Sequence, residues 1–189
     1  QRGVVGIGTV TDAYQPVEKK TELARRCLEE LLRADFPISI QTKSELLLRD
    51  IDVIKRFEAK DVGVTLTCYD DALRRKYEPC SAPVEKRLGV LEELHAEGIE
   101  TWAFIGPIMP YITDSGNGLR LLIDSLAKVK VASVLIDRLN LKPGLWGKIE
   151  RFLEKYDRNL IPVYRQILFS KSDYFETIRA EIIRLCRKN

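Results

Sequence analysis

The sequence predicts an α/β fold of repeated strand–helix units built on a parallel sheet. Three observations lead there. Short apolar runs alternate with amphipathic stretches along the 189 residues, the order expected of parallel strands joined by crossover helices. The runs starting at Val4, Phe36, Val62, Thr101 and Ser133 are separated by 32, 26, 39 and 32 residues, close to the roughly 30 of one strand plus its helix. Several runs are apolar at every position, as in Trp102-Ala103-Phe104-Ile105 and Val134-Leu135-Ile136, the mark of parallel strands buried on both faces.

The predicted strands are Val4–Val10, Phe36–Gln41, Val62–Cys68, Thr101–Gly106 and Ser133–Asp137. Between the first two, Ala24, Cys27, Leu28, Leu31 and Leu32 recur at helical spacing and form one apolar stripe. Val84, Leu88 and Leu91 repeat the pattern, with Pro83 at the helix start and Gly98 at its left-handed end. Leu119, Leu122, Ile123 and Leu126 form the next stripe, and Trp146, Ile149, Leu153 and Tyr156 another. Phe175, Ile178, Ile182 and Leu185 form the last, after the candidate cap pair Ser172-Asp173. Leu160–Phe169 reads as a further strand or an irregular packing segment. This alternation fits an open doubly wound sheet or a (β/α) barrel, and both place ligands at the carboxyl ends of the strands. One domain is expected over 1–189, with 146–189 as its C-terminal helices.

Composition excludes several classes. Lys+Arg number 31 against 28 Asp+Glu, a net charge of +3, too small to argue for nucleic acid alone. No apolar run approaches the roughly 18 residues of a spanning helix, so no membrane partner is expected. Val4–Val10 is too short and lacks the cleavage site of a signal peptide. Cys27, Cys68, Cys80 and Cys186 form neither CxxC nor CxxxCxxC spacing, so no metal ligand is assigned; Cys27 and Cys186 read as buried free thiols on helices, and the location as the cytoplasm. The only histidine, His95, falls mid-helix at a surface position. Glycine-rich dinucleotide, phosphate-loop and nucleophile-elbow motifs are absent. The start at Gln1-Arg2-Gly3, without Met, leads us to expect a fragment of a longer protein, with unpaired backbone and apolar surface at an open edge.

Chemistry-bearing residues gather where the strands end. These are Thr11 and Asp12 after the first, Gln41 and Lys43 at the second, and Thr65 and Thr67 on one face of the third. Pro107, Ile108 and Met109 follow the fourth, and Asp137 and Asn140 the fifth. Each has a plain structural alternative. Thr11 or Asp12 can cap the next helix, Lys43 can be solvated, and the threonines suit any strand. The prolines can shape a loop, and Asp137 and Asn140 can bond their own turn. The functional argument is their joint placement on one rim; the pattern names no reaction.

At Thr11-Asp12-Ala13-Tyr14-Gln15-Pro16-Val17-Glu18 the chain resembles radical S-adenosylmethionine proteins of the spore photoproduct lyase group, also called DNA repair photolyase-like. The resemblance continues at Ile40–Ser44, Tyr77–Leu88, Ile105–Pro110 and Val134–Asn140, and covers roughly residues 3–145. It implies a partial (β/α)6 barrel lacking its N-terminal strand, S-adenosylmethionine as cofactor, and a [4Fe–4S] cluster held by an upstream segment outside this chain. It also implies a 5′-deoxyadenosyl radical acting on a substrate, with nucleic acid as a candidate. Lys43 matches the lysine near the cofactor's carboxylate, Thr65 matches a serine on the next strand, and Pro107–Pro110 lie near the adenine. Thr11, Asp12, Gln41 and Thr67 complete the cofactor-binding set; no catalytic residue is assigned. The chain departs from the pattern in two places. The cluster's C-x-x-x-C-x-x-C loop is absent, and Thr9 or Val10 stands where spore photoproduct lyase has its cysteine hydrogen donor. The rival readings are a non-catalytic barrel fragment that binds a nucleotide-like ligand or partner, and a lyase using Lys43 as a Schiff-base amine.

Overall fold

A computed structural model describes residues 2–188; Gln1 and Asn189, the ends of the expected domain, lie outside the described residues. The chain runs β1 (Val5–Ile7), α1 (Glu18–Thr21), α2 (Leu23–Arg33), β2 (Ile38–Thr42), a 3-10 turn (Glu45–Asp50), α3 (Ile51–Ile54) and β3 (Lys60–Thr65). It continues through α4 (Asp71–Tyr77), α5 (Val84–Ala96), β4 (Glu100–Ile108), α6 (Gly118–Lys128), β5 (Ser133–Arg138), α7 (Leu145–Tyr156), α8 (Leu160–Phe169) and α9 (Tyr174–Cys186).

Among the described residues the strands form one sheet in the order β1-β2-β3-β4-β5, every neighbouring pair parallel. This decides between the two architectures. A doubly wound sheet reverses its strand order at a switch point, whereas consecutive order with helices on one side is an arc of barrel. The register sets the two faces. Ile40, Val62, Ala103 and Val134 alternate onto the convex side and join one core with Leu28, Leu91, Leu94, Leu122 and Leu126 of the helices. Ser39, Gln41, Thr65, Trp102 and Phe104 alternate onto the concave side.

The concave side corrects one expectation. The strands are not packed by helices on both faces. Ser39, Gln41, Trp102 and Phe104 are half-buried and Leu135 is exposed. Right-handed crossovers put every connecting helix on the same face, so apolar residues here line the inside of an open arc. Gly63 makes room for this lining. A Cβ on it would stand 2.4 Å from the Trp102 ring, whose Nε1 donates to Asp61 Oδ1 at 2.6 Å.

Three further corrections concern local structure. β1 is shorter than its apolar run, because Gly8 turns to φ +89 and the chain leaves the sheet there. Leu160–Phe169 is helix α8, not strand. Pro162 falls in its first turn, where backbone N–H groups have no intrahelical partner, and Tyr164 is fully buried. Cys27 and Cys186 are exposed, while Cys68 is buried. Cys27 lies on the flank of the α2 stripe, at the groove described next.

α7 and α8 pack over the ends of β4 and β5 through a second core of Met109, Ile112, Leu139, Ile149, Leu153 and Tyr164. α9 returns to the main core through Ile182 and Leu185. At the other end, β1 pairs on one side only. Beside it lies an apolar groove of about 810 Å³ lined by Val5, Ile7, Ala13, Leu23, Cys27 and Leu31. Val4, Val10, Val17 and Leu23 are exposed near this edge. No helix of the described residues is long and apolar enough to cross a membrane.

Candidate functional site

The loops that leave β1, β2 and β3 meet at one rim, and Asp12 ties the first two together. Its Oδ1 accepts from Tyr14 N at 2.9 Å and from Thr42 Oγ1 at 2.8 Å, and its Oδ2 accepts from Lys43 N at 2.7 Å. Asp12 therefore fixes the backbone from which Lys43 projects. Farther along the same stretch, Tyr14 is buried in the core. Glu18, nearly buried, caps α2 by accepting from Leu23 N and Ala24 N, each at 3.0 Å. Much of the Thr11–Glu18 stretch thus shapes the loop. Thr11 itself is exposed and lines neither of the cavities at this rim.

A cavity of about 300 Å³ opens at the concave rim, walled by Gly8, Asp12, Gln41, Lys43, Thr65 and Phe104, with Gly106 and Pro107 at its far side. Gln41 Nε2 donates to Thr65 Oγ1 at 3.0 Å, which fixes the two side chains across the β2–β3 boundary. Two glycines give the cavity its shape. A Cβ on Gly8 would lie 2.0 Å from the Gln41 carbonyl oxygen, and one on Gly106 would lie 2.7 Å from the Phe104 ring. A larger cavity, about 880 Å³, lies on the other side of Lys43 between the loops carrying Tyr14, Ser44, Tyr77 and Cys80, and it shares Asp12 and Lys43 with the first.

Lys43 is held from the third unit. Its Nζ donates to Glu78 Oε1 at 2.6 Å, and Thr67 Oγ1 donates to the same oxygen at 2.7 Å. Glu78 Oε2 accepts from Arg87 Nη2 at 2.8 Å and from Ser81 Oγ at 3.3 Å. Arg87, fully buried, also donates from Nη1 to Thr65 O and from Nε to Ala82 O, both at 2.8 Å, and from Nη2 to Ser81 Oγ. Burial by itself would raise the Glu78 carboxyl. The charges of Lys43 and Arg87, with their hydrogen bonds, outweigh it and bring the pKa down to about 2.

The structure brings Asp12, Gln41, Lys43, Thr65 and Pro107 to one cavity. Thr67 sits one step behind, on Glu78. Ile108 and Met109 are buried in the two cores and do not line it. Asp137 and Asn140 bond each other within their own loop at 3.2 Å. Glu78 and Arg87 were not among the sequence candidates. Neither follows a strand directly, and only their place within Tyr77–Leu88 marked them. His95 is on the exposed face of α5. Among the described residues no group of three His, Cys, Asp or Glu is placed to hold a metal ion.

No protein-family model matches the chain. An uncharacterised protein of Methanocaldococcus jannaschii is 40% identical over 114 residues, covering 60% of this chain and 43% of that protein. One from Mycobacterium tuberculosis is 28% identical over 187 residues, covering 97% and 55%. The chain thus spans about half the length of the curated relatives it matches. Among solved structures, spore photoproduct lyase complexed with dinucleoside spore photoproduct aligns with TM-score 0.63 at 14% identity, over 82% of this chain and 46% of that one. A domain of pyruvate-formate lyase-activating enzyme from Bacteroides vulgatus gives 0.56 at 13%, over 82% and 94%. SuiB of Streptococcus suis bound to S-adenosylmethionine gives 0.55 at 10%, over 83% and 35%. The chain has the partial-barrel fold of these neighbours.

Proposed function

We propose that this chain is the S-adenosylmethionine-binding part of a cytoplasmic radical enzyme akin to spore photoproduct lyase; the dinucleoside held by that fold neighbour makes nucleic acid the candidate substrate. The observation that carries the reading is the meeting of Lys43, Gln41 and Thr65, from adjacent strands, on one cavity at the carboxyl rim of the arc. The donor set suits the methionyl end of the cofactor. A fixed ammonium pairs with a carboxylate, and the amide and hydroxyl reach an amino group or ribose. Lys43 uses one of its three N–H donors on Glu78, which leaves two for such a ligand. The cavity's 300 Å³ is at the lower end of small-ligand sites.

The iron–sulfur cluster does not fit the described residues of this chain, which offer no cysteine set for it. The chain's own part is to bind and orient the cofactor; the chemistry supplied with a cluster is the 5′-deoxyadenosyl radical. We place the cluster on a preceding strand–helix unit. Support comes from the unpaired edge of β1, the apolar groove beside it, and relatives longer than this chain. Alone, the chain then binds the cofactor without cleaving it. Lys43 and Glu78 pair as charges, which suits a cation for an anionic ligand better than the neutral amine of a Schiff base.

The test is anaerobic reconstitution of the longer gene product. We expect iron–sulfur absorbance, 5′-deoxyadenosine from S-adenosylmethionine under reduction, and weaker but measurable binding with slower cleavage in Lys43→Met. A fully clustered protein that makes no 5′-deoxyadenosine would refute the radical reading.

A further inference from the structure

We infer that Glu78 is a positioning residue that holds the Lys43 ammonium at the cavity wall, with Arg87 as the counter-charge that lets it do so without cancelling Lys43. The inference deepens the reading above and rests on it for the identity of the ligand.

Three features carry it. The first is geometric. Lys43 leaves the end of β2 and would otherwise be a long, half-exposed side chain with many rotamers. The 2.6 Å bond to Glu78 selects one of them. The second is the surroundings of Glu78. Its side chain is 9% exposed and that of Arg87 is 1% exposed, and its carboxylate accepts from Lys43, Thr67 and Arg87, while the single Ser81 hydroxyl proton goes more closely to the Glu78 carbonyl, at 2.8 Å. A buried carboxylate held by three donors from different segments is a rigid anchor. A carboxylate on the open surface would move with the lysine. The third is charge. Lys43 and Arg87 share the one carboxylate of Glu78, so the trio keeps one net positive charge at the cavity for an anionic ligand. Arg87 in turn donates to the carbonyl of Thr65, the residue whose hydroxyl lines the same cavity, so one buried guanidinium sets both walls.

This pre-organisation removes an entropic cost. Ordering a free lysine costs rotamer freedom. If that cost is met by the fold, the ligand does not bear it. Releasing Lys43 should therefore weaken S-adenosylmethionine binding about tenfold.

The experiment has two arms. In the first, the amines are acylated under native conditions and quantified by mass spectrometry, with exposed Lys171 as internal standard. Lys43 should react several-fold faster in Glu78→Gln and in Glu78→Asp than in the wild type. Glu78→Asp keeps the charge beside Arg87 and guards against simple unfolding. Unchanged Lys43 reactivity in the folded Glu78→Asp protein would overturn the inference whatever the ligand is. In the second, the dissociation constant for S-adenosylmethionine is measured for wild type, Glu78→Asp, Lys43→Met and the double variant. We expect Glu78→Asp to weaken binding about tenfold in the wild type and hardly at all when Lys43 is already Met. An equal loss in both backgrounds would mean a merely structural role and overturn the inference. Absence of binding by the wild type would instead overturn the cofactor reading, with the acylation arm still deciding the role of Glu78.

Discussion

Removing the Glu78 charge should flatten one part of the acid stability profile. The carboxyl lies at about 2 in the folded chain against an ordinary 4.5, and its side chain is only 9% exposed. A depressed folded-state pKa means that the native chain binds fewer protons than the unfolded one. The stabilisation is therefore present above about pH 5 and lost as pH falls toward 2. It amounts to about 3 kcal/mol at neutral pH, of which about 2 kcal/mol is gone by pH 3. The assay is urea unfolding of wild type and Glu78→Gln between pH 7 and pH 3, followed by far-ultraviolet circular dichroism. Glu18, Asp52 and Asp71 are also held below their usual range, but they titrate in both proteins and cancel in the difference. The wild type should lead the variant at pH 7 by about 2 kcal/mol more than at pH 3. A constant gap across that range would show that Lys43 and Arg87 do not hold Glu78 ionised, and the account of the site would fall with it.

Other outcomes follow from the same geometry. Asp12→Ala removes three hydrogen bonds and takes away the acceptor of the buried Thr42 hydroxyl, whose oxygen still accepts from Ser44 N, so it should cost about 2 to 4 kcal/mol in chemical denaturation; a loss under about 0.5 kcal/mol, the level of an ordinary surface substitution, would contradict its role as the tie between two loops. Gly8→Ala meets both a positive φ and the Gln41 carbonyl oxygen, and should lower stability by at least about 2 kcal/mol; a thermal melt unchanged from wild type would show that the β1 exit can relax. In the native protein Cys27, Cys80 and Cys186 should react with a thiol reagent, while Cys68, buried and with its thiol pushed up by that burial, waits for denaturant. Rapid reaction of all four would mean that the rim around Cys68 opens.

The sequence by itself determined the number and kind of units. A strand needs a few apolar residues in a row and a helix needs a stripe at 3.6-residue spacing. Both are local, so β2 to β5 and α2, α5, α6, α7 and α9 were legible, as were the rim positions of Gln41, Lys43 and Thr65. α8 was not, because Pro162 looks like an interruption unless its place in the first turn is known. Periodicity left open whether the sheet closes like a barrel or winds both ways, since strand order is a relation between distant segments; the resemblance alone implied the barrel, and the strand order bears it out. The same holds for Glu78 and Arg87. They lie 35 and 44 residues beyond Lys43, and no periodicity connects the three. Only folding brings a carboxylate from the third unit under a lysine from the second, because parallel strands in consecutive order set their carboxyl ends side by side. That neighbourhood, and the burial that makes its charges depend on one another, was decided by the tertiary structure alone.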